Sequence, residues 1–134
     1  MNVSEGRVIV TGATRGIGRA AVDAILARGG RVVAIARSQE ALRALEAACP
    51  ERVRGIAVDL MEADRLGPVA DRAVDAFGGV EGLVNCAGVA RYEAVDEISI
   101  ASVEAQLKVN LLAPLMLCQA VVPRMRERGG SIVN

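Results

Sequence analysis

Histidine and tryptophan are absent from the 134 residues, and there is only one Phe and one Tyr. The lack of histidine excludes His-based triads and most metal sites, and no metal-ligating set is expected. With 52% hydrophobic residues but almost no aromatics, the core must be built from Ala, Val, Leu and Ile, which suits close packing of helices on a sheet. The three cysteines, Cys49, Cys86 and Cys118, are far apart and form no CxxC pair. They read as reduced thiols of a cytoplasmic protein, not a zinc site or a disulfide framework. Net charge is zero, so nothing points to nucleic acid or another polyanion. Met1 to Glu5 lack the basic-then-apolar pattern of a signal peptide. The longest apolar stretch, Leu111 to Val122, contains Pro and Gln and is too short to span a bilayer, so no membrane association is expected.

What is present is a regular alternation of strand and helix. Arg7 to Val10 is a short β-branched run. Ile17 to Arg28 follows as a helix with Ile17, Ala20, Ala21, Ala24 and Ile25 on one face, closed by Gly29-Gly30. Arg31 to Ala36 reads as a strand, and Gln39 to Ala48 as a helix with Leu42 and Leu45 inward. Val53 to Val58 is a third strand, and Arg65 to Phe77 a helix marked by Leu66, Val69, Ala73 and Phe77. Val80 to Asn85 makes a fourth strand, Ser99 to Arg128 one long helix, and Ser131 to Asn134 the start of a fifth strand. Such spacing implies βαβ units. The fold class is therefore α/β: a doubly wound parallel sheet of the Rossmann kind, in three α/β/α layers, with residues 1–134 as a single dinucleotide-binding domain. Such sheets bind ligands at the carboxyl ends of their strands.

Thr11-Gly12-Ala13-Thr14-Arg15-Gly16-Ile17-Gly18 follows the first strand directly and opens the first helix. Glycines there let the chain turn tightly, let a pyrophosphate approach the backbone, and let the helix sit close to the sheet. The helix then directs its free N–H groups at the phosphates. A P-loop is excluded, because Arg19 follows Gly18 where Lys-Ser/Thr would be needed.

The spacing Gly-x-x-x-Gly-x-Gly, with its preceding Thr, resembles the cofactor loop of the short-chain dehydrogenases/reductases. Three later landmarks are similar in order: Asp59-Leu60 after strand three, Asn85-Cys86-Ala87-Gly88 after strand four, and Asn110 within Lys108-Val109-Asn110-Leu111. The resemblance covers the whole chain. It implies that Gly12, Thr14, Arg15, Gly16, Ile17 and Gly18 line the cofactor site together with Asp59, Leu60, Asn85, Ala87 and Gly88. Asp59 would contact the adenine, and Asn110 would be the helix Asn of a catalytic tetrad. Cys86 departs from the family's second Asn; it fills the same space but donates no comparable hydrogen bond. Asn85 also reads as a residue that ties the central strand together.

The end of the second strand reads Ala36-Arg37-Ser38, where NAD-preferring members carry an Asp. A guanidinium there suits a 2′-phosphate, to which its fork donates two hydrogen bonds. Arg15 lies where a second cation reaches the same group. With Arg37 and Ser38 counted in the site, the expected cofactor is NADP(H).

In the long helix, Pro114 has no N–H, so the carbonyl of Asn110 loses its helical partner and the helix should bend. The resemblance implies a water on that carbonyl, linked to a catalytic Lys. Tyr92, the only tyrosine, stands in Tyr92-Glu93-Ala94-Val95-Asp96, which is not the family's Tyr-x-x-x-Lys. The catalytic Ser, Tyr and Lys would all lie past Asn134. The expected parent is thus a homo-oligomeric NADP(H)-dependent oxidoreductase acting on a small carbonyl or secondary alcohol, and this chain alone is expected to be inactive. A silent dinucleotide-binding module and a fragment completed by a partner chain are the alternatives.

Overall fold

The computed structural model describes residues 6–126 and 128–134. Its strands are β1 (Arg7–Thr11), β2 (Arg31–Ala36), β3 (Val53–Ala57), β4 (Gly82–Asn85) and β5 (Ser131–Val133). Its α-helices are α1 (Gly16–Ala27), α2 (Gln39–Ala48), α3 (Leu66–Asp75), α4 (Ile100–Leu107) and α5 (Ala113–Met125). The sheet is parallel throughout, in the order β3-β2-β1-β4-β5. The chain therefore winds outward from β1 in one direction and then, at β4, in the other. The switch point lies between β1 and β4, where a crevice opens at the strands' carboxyl ends.

Side-chain alternation divides the interior into two layers. Val8 and Val10 of β1, with Val32 and Ala34 of β2, meet Val22 and Ile25 of α1 and Leu42 and Leu45 of α2. Ile9, Val33 and Ile35 face the other way, onto Leu66, Val69 and Ala73 of α3 and Ala113, Leu117 and Val121 of α5. The expected inward residues of α2 and α3 are buried, apart from half-buried Phe77, which lies just beyond the end of α3.

The expected inner face of α1 needs correction. Gly18, Val22 and Ile25 are buried, whereas Ala20 and Ala24 are exposed and Ile17 is 81% exposed. The alanines match helical spacing equally well, but the glycine decides the rotation. A Cβ at Gly18 would lie 2.3 Å from the carbonyl oxygen of Gly12, so only a glycine can make this contact. Ile17 is thereby turned out over the crevice.

The long helix forms with an interruption. Between α4 and α5, Lys108–Leu112 make a π turn in which Ala113 N–H reaches back to the Lys108 carbonyl. It ends two residues before Pro114, whose ring would crowd the carbonyl of Asn110 in a regular α-helix. The whole run from Ile100 to Met125 is 26 residues, long and apolar enough by length and composition to cross a membrane. Here one face of it belongs to the core beneath the sheet, while Ile100, Leu107, Leu111 and Leu115 on other sides are exposed.

Candidate dinucleotide site

A cleft of about 690 Å³ opens at the carboxyl ends of β1, β2, β3 and β4. This volume is within the range of small-molecule and cofactor sites. Gly12, Thr14, Arg15, Gly16, Ile17 and Gly18 line it from the first loop, and Arg37 and Ser38 from the end of β2. Asp59 and Leu60 line it after β3, and Ala87 and Gly88 after β4. The fold thus gathers nearly all the expected cofactor residues into one place.

The glycine loop is shaped by contacts that allow no side chain. Gly12 has φ 64°, and a Cβ on it would lie 3.0 Å from backbone atoms of Ala87. Gly16 has φ 54° with open space around it, so it is needed for its backbone conformation. Arg15, the residue before α1, makes no side-chain cap, and no acidic residue stands in the first turn. The first-turn N–H groups are therefore available to an anion at the positive end of the helix.

The electrostatics of the cleft favour the same kind of ligand. Arg15, Arg37 and Arg91 all line it, and none forms an ion pair with a carboxylate among the described residues. The carboxylate in the lining is Asp59, whose Oδ1 accepts from Met61 N–H at 3.0 Å. Ser38 caps α2, its hydroxyl accepting from Ala41 N–H at 3.2 Å. That cap fixes the start of α2 directly beside Arg37.

Two expected residues stand elsewhere. Asn85 is not in the cleft lining: its Nδ2 donates to Asn134 Oδ1 at 2.7 Å and points at Cys118 Sγ at 3.9 Å. It links the end of β4 to Asn134, just past β5, because strand alternation turns it away from the loop side. Asn110 does not line the cleft either. Its side chain brackets Val89, with Nδ2 donating to the carbonyl at 2.7 Å and Oδ1 accepting from the N–H at 2.9 Å. Tyr92 is 98% exposed and lies outside the cleft lining.

Met61, Val89, Arg91, Ala105 and Val109 also line the cleft, outside any motif of the chain that marks a cofactor contact. Ala105 and Val109, four apart on one helix face, carried a usable signal; the others lie in aperiodic loops. Thr11, ahead of the first glycine, belongs to the framework of the site. Buried at the end of β1, its hydroxyl accepts from Ala87 N–H at 3.1 Å. The loop after β4 is thus anchored at Ala87 and Val89, and neither anchor uses Cys86.

A family model described as short chain dehydrogenase matches residues 6–134. The chain belongs to that family. It is 39% identical to D-threitol dehydrogenase of Mycolicibacterium smegmatis, an alignment covering 97% of this chain and 52% of the relative. It is 38% identical to carbonyl reductase [NADPH] 2 of Sus scrofa, over 100% of this chain and 54% of that protein. A short-chain dehydrogenase from Streptomyces avermitilis superposes with a TM-score of 0.93 at 37% identity, over 100% of this chain and 50% of the other. A metagenomic short-chain oxidoreductase in complex with NADP gives a TM-score of 0.88 at 35% identity, covering 96% and 62%. This short-chain dehydrogenase chain spans about half the length of the curated relatives it matches.

Proposed function

We propose that this chain is the dinucleotide-binding part of an NADP(H)-dependent oxidoreductase that transfers hydride between NADPH and a carbonyl or secondary alcohol. The observation that carries the reading is the meeting, in one cleft, of the glycine loop with Arg15 and Arg37, where a carboxylate would select NAD. The cradle fits the cofactor: Gly12 and Gly18 leave no room for side chains, and first-turn N–H groups of α1 face the cleft. Those groups would hold the pyrophosphate, while Arg37 and Arg15 bind the 2′-phosphate. Asp59 and Leu60 would hold the adenine end. The bound cofactor supplies or accepts the hydride. Asn110 positions the Val89 end of the wall through its side chain, and its carbonyl cannot accept from Pro114, which has no N–H. The names of the relatives support this reading, since one is a carbonyl reductase [NADPH] and a structural neighbour was solved with NADP.

The resemblance assigns proton transfer to a Ser, a Tyr and a Lys, and no Tyr-x-x-x-Lys stands in this chain. Fluorescence titration of the full-length protein with NADPH and NADH tests the cofactor assignment. Tighter binding of NADPH by at least tenfold is expected; equal affinities would sink it.

A further inference from the structure

The helical run through α4 carries a polar stripe of which the site described so far uses one member. Ser102, Gln106 and Asn110 recur every four residues and share a face. All three reach the extended segment after β4. Asn110 holds Val89 by both its N–H and its carbonyl. One turn earlier, the half-buried Gln106 accepts from Arg91 N–H through Oε1 at 3.2 Å. One turn earlier again, the fully buried Ser102 donates its hydroxyl to the Glu93 carboxylate.

The partners recur at every second residue: the backbone of Val89 and of Arg91, whose N–H groups point to one edge where the chain is extended, and then the side chain of Glu93. Four residues of helix rise about 6 Å, and two residues of extended chain advance roughly 6.6 Å. The two segments can therefore run antiparallel in register over three rungs. Among the described residues, these are the hydrogen bonds that hold the 89–93 segment. Val89 and Arg91 line the cleft, whereas Tyr92, between two rungs, is turned out to 98% exposure.

We infer that Gln106 and Ser102 are positioning residues, which with Asn110 clasp the Val89–Glu93 segment onto the helix and fix Val89 and Arg91 as one wall of the dinucleotide cleft. The inference deepens the dinucleotide reading and rests on it. A wall ordered in advance spares the ligand the cost of ordering it on binding. Gln106 is the middle rung, and its loss frees the backbone at Arg91.

The test uses the full-length protein with Gln106→Leu, which removes the acceptor at similar size, and Gln106→Glu, which keeps it. NADPH affinity is read by fluorescence titration and backbone exchange at residues 89–93 by hydrogen–deuterium exchange. Gln106→Leu should bind NADPH roughly five- to tenfold more weakly, with faster exchange at Arg91, and Gln106→Glu should restore both. Wild-type affinity in Gln106→Leu would overturn the positioning role, whatever its exchange rate. Equal losses in both variants would also overturn it, since packing and not the acceptor would then be responsible. A wild-type protein that binds neither dinucleotide would sink the underlying reading of the cleft, a failure visible before any variant is made.

Discussion

The two ends of the sheet handle charge in opposite ways. At the amino ends of the strands, Arg7 donates to the Glu81 carboxylate through its backbone N–H at 2.8 Å and Nε at 3.0 Å, and to the Gly78 carbonyl at 2.8 Å. Arg54 lies over the Phe77 ring at 5.3 Å and Arg31 at 6.0 Å, and Arg52 donates to the Leu26 carbonyl at 2.8 Å. Arg7, Arg52 and Arg54 are thus engaged within the molecule, while Arg31 stays exposed. At the carboxyl ends, Arg15, Arg37 and Arg91 face a cleft without carboxylate partners among the described residues. Satisfied charge holds strands together, whereas charge left without a partner is available to a ligand. The contrast teaches more than the arginine count of the chain, because both ends draw on the same residue type.

The largest expected effect breaks the ligand end by steric means. Gly18→Val drives a side chain into the Gly12 carbonyl, so thermal unfolding should show a loss of about 3 kcal/mol and dinucleotide binding should vanish. A stable variant with normal affinity would mean that the close approach of α1 to the loop is dispensable. Next is the opposite pole. Glu81→Ala removes the partner of Arg7 and should cost about 2 kcal/mol while leaving NADPH affinity unchanged.

The Arg7 hydrogen bond holds the Glu81 carboxyl below its ordinary value of 4.5. The ionised pair therefore adds stability above that value, and the contribution fades as pH falls through the lowered folded value. Denaturant melts of wild type and Glu81→Ala should converge in acid. A gap independent of pH would show that the pair acts by packing alone. The smallest stability effect is expected for Gly16→Val, at about 1 kcal/mol, since only its positive φ resists the change. The fold should survive and cofactor binding should not, because the branched side chain would block the pyrophosphate. Unchanged affinity in the folded variant would make that part of the loop structural only.

Much of this was legible in the chain. Alternating β-branched runs and amphipathic helices specify the doubly wound sheet, because each burial periodicity is local. The cleft was legible where a motif sits at a strand end: Gly12 to Gly18, Arg37, and Asp59-Leu60 need only the strand order to converge. The rest depends on tertiary contacts. The face of α1 is decided by one glycine against a carbonyl, which outranks a row of alanines. Asn85 turns toward β5 because of pleat geometry that a motif does not encode. Arg91 and its clasp were hidden because Gln106 and Ser102 look like ordinary helix-surface residues until the extended segment is laid beside them.

The most direct test of the account exchanges the character of the ligand end at one residue. Arg37→Asp replaces a cation free to bind phosphate by the carboxylate that suits ribose hydroxyls. Dissociation constants for NADPH and NADH, measured on the full-length wild type and variant at one ionic strength, give the preference of each. The account predicts that wild type prefers NADPH and that the variant shifts the preference toward NADH by about 2–4 kcal/mol. An Arg37→Asp variant that keeps the wild-type ratio would contradict it.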